Sequence, residues 1–111
     1  MNVAVKSRAL NDPVLSIVRD RLRANYGGRL KGAVLFGSRA RGDHKQDSDY
    51  DIAVLLSDYD YTMDEVFRLA ELSWDIQKAS GAIVSFKPVP PRNRWKDTPF
   101  SREILQDGIA L

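Results

Sequence analysis

Residues 33–56 read AVLFGSRARGDHKQDSDYDIAVLL. Two apolar runs, Ala33 to Phe36 and Ile52 to Leu56, bracket a polar connection. Each run is short, aliphatic and bounded by turn-forming residues, so each is expected to be a buried strand. The connection opens on Gly37-Ser38 and closes on Asp49-Tyr50-Asp51. A Gly-Ser turn leaving a strand brings backbone N–H groups and a hydroxyl close to a phosphate, because glycine has no Cβ to block the approach. A short helix starting at Ser38 would add its unpaired N–H groups and its dipole.

Asp49 and Asp51 stand two residues apart at the start of a strand. Strand side chains alternate, so both carboxylates share a face with Ala53 and Leu55, while Tyr50, Ile52, Val54 and Leu56 line the other. Two like charges held side by side repel. A divalent cation removes the repulsion, and Mg2+ takes oxygen ligands from one or two carboxylates plus substrate phosphates. A phosphate cradle facing a carboxylate pair is the arrangement that metal-assisted nucleotidyl transfer needs.

Gly37-Ser38, ten intervening residues and Asp49-Tyr50-Asp51 resemble the signature of the DNA polymerase β-like nucleotidyltransferase superfamily. Arg41-Gly42 and Ser48-Asp49 also match its small stand-alone members. These are the minimal nucleotidyltransferases, several of which act as antitoxins beside a HEPN-type partner. The resemblance implies an α/β (α+β) nucleotidyltransferase fold, with a small mixed three-stranded sheet packed with helices. It implies Mg2+ as cofactor, ATP or another NTP as substrate, and transfer of AMP to a tyrosine of a toxin. Carried onto this chain, Gly37 and Ser38 hold the β- and γ-phosphates, and Asp49 and Asp51 are the metal-binding and catalytic carboxylates. Arg39 and Arg41 are further candidate phosphate contacts, since guanidinium forks suit phosphate. Their simpler reading is surface charge balancing Asp43 and Asp47.

The pattern departs from the superfamily at one point. Active members usually carry a third carboxylate on the next strand, which completes two-metal geometry and can take the proton of the attacking hydroxyl. The matching stretch is Ala82 to Lys87, and the equivalent position is Ser85. No acid lies between Ser80 and Lys96. Asp47, Asp75 or a partner's carboxylate are the candidate substitutes. Nucleotide binding is therefore expected more firmly than turnover. The competing expectation is a catalytically weak module that neutralises a toxin by contact. Larger relatives add a helical domain for the acceptor, for which this chain has no room. That favours a protein partner or self-association over small-molecule modification.

Outward from this stretch, Asn11 or Asp12 before Pro13 starts a helix. Val14, Ile17, Val18, Leu22 and Tyr26 fall on one of its faces, and Gly27-Gly28 ends it. The arginines of this helix read as a solvated face rather than a nucleic-acid patch. Leu30 to Phe36 is the first strand, Ser38 to Arg41 a helical turn, and Asp49 to Leu56 the second strand. Met63 to Ala79 is the longest helix, with a Thr62–Glu65 capping box. Val66, Leu69, Ala70, Ser73, Ile76 and Gln77 form its expected inward face. Ala82 to Phe86 is a short third strand, with the prolines of Lys87-Pro88-Val89-Pro90-Pro91 preventing further pairing. Trp95 is expected against the core, a last helix runs from Thr98-Pro99 to Gln106, and Ile109 to Leu111 form an extended tail. Residues 1 to 11 show little pattern beyond Val3 and Val5.

The 111 residues are read as one domain, 1–111, large enough for a single core. Net charge is +2, from 17 basic and 15 acidic residues, which gives no electrostatic case for nucleic acid. There is no cysteine, hence no disulfide framework or thiolate chemistry. No apolar stretch approaches the roughly 20 residues that cross a bilayer, and no signal-peptide core is present. A cytoplasmic, membrane-free protein is expected. His44, the only histidine, reads as a bystander in a loop, and Lys87 as a surface lysine. Trp74 and Trp95 read as core or partner contacts.

Overall fold

The computed structural model describes residues 9–111, so Val3 and Val5 lie outside the described residues. Asp12 caps helix α1 (Pro13–Tyr26): its side chain accepts from the Val14 N–H at 2.9 Å, and Pro13 occupies the first turn. The buried face is Leu15, Val18, Leu22 and Tyr26. It is rotated from the expected one, because Val14 and Ile17 are only partly buried. Four strands follow: β1 (Leu30–Phe36), β2 (Tyr50–Leu56), β3 (Val84–Val89) and β4 (Ile109–Ala110). They alternate with α2 (Ser38–Arg41), α3 (Met63–Ser80) and α4 (Pro99–Asp107).

The sheet order is β3-β2-β1-β4. β1 runs antiparallel to β2 and β4, and β2 runs parallel to β3. The α/β mixed-sheet class is as expected, with one strand more than the three anticipated. The extra strand is the tail: Ile109 pairs with Leu35 and Ala110 with Val34. Burial drives this pairing, since Ile109 is almost fully buried beside β1.

The two sheet faces are distinct. Ile52, Val54 and Leu56 share one core with Leu15, Val18 and Leu22 of α1 and Leu69, Leu72 and Ile76 of α3. Ala53 and Leu55 share the other with Val34, Val89 and Ile104, the last from α4, and with partly buried Phe36, Trp95 and Phe100. Asp51 has the parity of Ala53 and Leu55, so its carboxylate belongs to the α4 face.

Two expectations are corrected by tertiary contacts. β3 begins two residues later than expected and continues through Pro88 to Val89. It is an edge strand, and the Tyr50 N–H donates to the Ile83 carbonyl at 2.9 Å. Counting in twos along the strand, Ser85 and Lys87 turn their backbone groups towards β2. Pro88 lies at an outward position, where the N–H it lacks breaks no ladder bond. The capping box of α3 is also absent: Thr62 makes no side-chain cap. Glu65 is buried and pairs with Arg29 instead. The inward face of α3 is therefore Glu65, Leu69, Leu72 and Ile76, and Val66 and Ala70 are exposed. By contrast α4 has a complete capping box, in which the Ser101 N–H donates to Thr98 Oγ1 at 3.1 Å and the Thr98 N–H to Ser101 Oγ at 2.9 Å.

Candidate active site

The site lies where β1 ends and β2 begins. Gly37 leaves β1 with φ +75°, in the left-handed region that favours glycine. A Cβ there would collide with the carboxylate of Asp51, so Gly37 lets the β1–α2 turn close against that group. The Gly37 carbonyl accepts from the Ala40 and Arg41 N–H groups, both at 3.1 Å, which starts α2. The Ser38 and Arg39 N–H groups precede the first helical bond and are the donors this turn can offer an anion. Ala40 is buried and fixes α2 to the core.

Asp49 is exposed and Asp51 half-buried. The Asp51 carboxyl is pushed above the ordinary aspartate range, first by burial, then by the charges of Asp49 and Glu103; Arg41 opposes the shift. Between the two acids, Tyr50 points to the opposite face. Its hydroxyl donates to Asp12 Oδ2 at 2.6 Å, and burial followed by this bond pushes its pKa up to about 12. Asp12 thus caps α1 with one oxygen and pins the start of β2 with the other. This anchor holds Asp49 and Asp51 on the site side.

The two candidate arginines occupy different places. Arg39 lies 3.9 Å from the Tyr50 ring centroid, and its Nε and one terminal nitrogen donate to the Ser48 and Gln46 carbonyls at 2.8 and 3.0 Å. It holds the loop that delivers Asp49. Arg41 lies on the Asp51 side, bonded through Nε to Asp43 and through Nη1 to Glu103 on α4, both at 3.2 Å.

Ser85 is the register partner of Asp51 on β3 and is exposed. Asp75 is on α3, across the sheet from Asp51, and pairs with Lys78 at 3.5 Å, so it is out of reach as a third carboxylate. Asp47 is exposed in the loop. His44 rims a small cavity of about 110 Å³ on the Tyr50 side, away from the acids. Trp95 is half-buried and donates from Nε1 to the Pro90 carbonyl at 2.6 Å, as a core contact should. Trp74 is 57% exposed and is no part of the core.

Reading the sequence missed Tyr50 and Glu103. Glu103 follows Phe100 by one helical turn of α4. The Phe100 ring meets Phe36 edge-on, centroids 5.3 Å apart, and Phe36 is the register partner of Asp51 on β1. That aromatic contact, which sequence spacing does not reveal, brings Glu103 to the site.

Among the described residues no cluster of three or more acids and histidines forms a metal site. The Asp49–Asp51 pair offers oxygen ligands alone. That set fits a hard cation such as Mg2+, which takes the rest of its shell from phosphates and water.

A glycine turn against a carboxylate pair, on a mixed sheet with these connections, defines a nucleotidyltransferase domain. Residues 15–111 match the nucleotidyltransferase domain family, and the chain belongs to it. The chain is 35% identical over 91 residues to the protein of Methanocaldococcus jannaschii named "Putative protein adenylyltransferase MJ0604", covering 81% of this chain and 86% of that protein. A toxin–antitoxin solved with AMP-PNP matches with a TM-score of 0.63 at 26% identity, over 89% of this chain and 72% of the other. The toxin–antitoxin MntA-HepT matches with a TM-score of 0.54 at 25% identity, over 87% and 67% of the respective chains. The resemblance to nucleotidyltransferases is therefore found in sequence, and the likeness to toxin–antitoxin proteins in fold. Among the described residues no helix is long and apolar enough to cross a membrane.

Proposed function

We propose that the chain is a Mg2+-dependent nucleotidyltransferase that moves AMP from ATP to a hydroxyl of a partner protein, as the antitoxin of a toxin–antitoxin pair. The observation that carries this reading is the closure of the Gly37 turn against the Asp51 carboxylate. It supports a site in which the turn's N–H groups face phosphate while Asp51, with Asp49 on the same strand face, takes the metal. Gly37 and Ser38 hold the β- and γ-phosphates, and Arg41 adds a cation once it leaves Glu103. Asp49 and Asp51 hold Mg2+, which when bound supplies charge neutralisation at the phosphates. The partner hydroxyl attacks the α-phosphorus, a phosphoester forms, the α–β bond breaks, and pyrophosphate leaves while solvent takes the hydroxyl proton. An ATP substrate supports a cytoplasmic location.

The test is thermal unfolding with Mg2+ and ATP, beside Asp49→Ala,Asp51→Ala. A ligand at a hundred times its Kd adds about 2.7 kcal/mol of stability. A Mg2+-dependent upshift lost in the variant supports the site, and label from ATP then appears on the partner. No upshift at millimolar ATP sinks this reading and moves contact binding ahead of it.

Ser85 favours a second reading, because it puts a neutral hydroxyl where a proton acceptor would help. In that reading the chain neutralises its partner by contact. The double variant would then still form the complex and still protect cells.

A further inference from the structure

A cavity of about 280 Å³ opens beside β3, on the α4 face of the sheet that also carries Asp51. Its walls are Pro88, Val89, Pro90, Trp95 and Phe100. Three cations, Lys87, Arg94 and Lys96, line it, and no acid does. Lys87 Nζ lies 4.5 Å from the Phe100 ring centroid, on the path from the carboxylates to the cavity. The stretch from Ser80 to Lys96 carries cations and no acid at all.

The sheet order fixes what this cavity faces. The phosphate turn is at the end of β1, the carboxylates are on β2, and β3 is next. In phosphoryl transfer the attacking and leaving oxygens lie roughly in line. If pyrophosphate leaves towards β1, the attacking hydroxyl arrives from β3, across Ser85. Resting on the function proposed above, we infer that the cavity binds the acceptor: a polypeptide with an apolar anchor residue and an acidic residue between the anchor and the modified hydroxyl.

The spacing follows from β3. Ser85, Lys87 and Val89 share a face at steps of two residues, about 6.6 Å each. An extended peptide beside them advances at the same rate. The hydroxyl residue sits at Ser85, an acidic residue two positions on meets Lys87, and a large apolar side chain four positions on enters the cavity. Residues separated by two and four in an extended chain point the same way, so all three contacts form at once. The charge complement is an acid because the cavity presents cations alone.

The test uses two synthetic peptides, with tyrosine, aspartate and leucine at positions 1, 3 and 5 in either chain direction, and controls with alanine for leucine or lysine for aspartate. Trp74→Phe leaves Trp95 as the sole tryptophan reporter. One direction should shift Trp95 emission and accept label from Mg2+–ATP, with a KM at least tenfold below that of the alanine control. Lys87→Glu,Lys96→Glu should reverse the preference between aspartate and lysine. The inference falls if neither direction shifts Trp95, or if the alanine control binds equally well. It falls also if Mg2+–ATP alone shifts Trp95 and Trp95→Leu weakens ATP, which would make the cavity a nucleobase site. Displacement of the peptide by a single-stranded oligonucleotide of matched charge would assign the surface to nucleic acid. A Trp95 shift without any label transfer keeps the cavity and removes the transferase reading. Mg2+–ATP stabilisation with no peptide response does the opposite.

Discussion

Ser85 stands directly across the parallel ladder from Asp51, one strand spacing away and on the same face. A proton acceptor at that position would complete the site, and the chain has a hydroxyl there. Ser85→Asp should therefore raise the kcat of AMP transfer, by about tenfold, the low end of what a positioned base contributes being larger still. Ser85→Ala should stay within about twofold of the parent, because a neutral serine contributes no base. Label transfer to the partner under saturating Mg2+–ATP measures both. A collapse of activity in Ser85→Ala would give the hydroxyl a direct role.

Gly37→Ala combines two faults: a side chain at φ +75° and a collision with the Asp51 carboxylate. The strained backbone alone costs about 1–3 kcal/mol. Denaturant unfolding should show that loss. Mg2+–ATP should then give no upshift, because relief of the collision moves either the phosphate turn or the carboxylate. A variant that keeps the full upshift would show that the two do not work as one site.

How much of this was legible follows from which contacts are local. The Gly37–Asp51 stretch, the face that Asp51 shares with Ala53 and Leu55 and the cap at Asp12 depend on turn chemistry and strand parity, and a sequence carries both; that α4 covers this face it does not carry. Thr62-x-x-Glu65 has the form of a capping box, yet Arg29, 36 residues earlier, draws the Glu65 carboxylate into the core. Pro88 reads as a stop in the sequence, whereas its outward register depends on which strand it pairs with. Glu103 reaches the site through the Phe36–Phe100 contact, and Arg39 leaves it for the Tyr50 ring. Each is a long-range event with no local signal.

The Asp51 carboxyl gives a pH dependence with a defined sign. Burial first, and then Asp49, raise its pKa in the folded chain. A raised folded pKa favours the protonated native state. Its stabilisation is full below the unfolded value, about 3.9 for aspartate, and is lost as pH rises through the folded value. Asp51→Asn, which cannot ionise, should therefore melt above the parent at neutral pH without nucleotide. The gap should close as pH falls below the unfolded value. Thermal melts across that range, free of divalent metal, measure it. Equal melting at neutral pH would mean that the carboxylate is fully solvated.

Arg29 and Glu65 form a partly buried pair at the N-terminal end of α3, with Asp58 bonded to the same guanidinium at 3.0 Å. Glu65 is 8% exposed, and Arg29 also lies over the buried Tyr26 ring, 5.4 Å from its centroid. Removing the cation leaves a buried carboxylate unpaired, whereas Glu65→Gln leaves a neutral amide. Arg29→Ala should therefore cost more than Glu65→Gln, about 2–3 kcal/mol against about 1, below the range for fully buried pairs because Arg29 is partly exposed. Chemical denaturation of both variants ranks them, and the reverse order would place the stabilisation in the carboxylate's other contacts.

Arg41 is held by Glu103 and Asp43 where a triphosphate would need it. Glu103 also adds negative charge next to Asp51, so it opposes an anionic ligand twice. Glu103→Gln frees the guanidinium and removes the repulsion. The pair is exposed and screened by solvent, so Mg2+–ATP should bind only a few-fold more tightly. Arg41→Ala should weaken binding by a similar factor or more, and the double variant should bind between Arg41→Ala and Glu103→Gln, since only the lost repulsion survives without that cation. Calorimetric titration of the three chains gives the cycle. If Glu103→Gln instead weakens Mg2+–ATP while binding of metal-free ATP is unchanged, Glu103 is a third oxygen ligand for the metal. The carboxylate missing from β3 would then be supplied from α4.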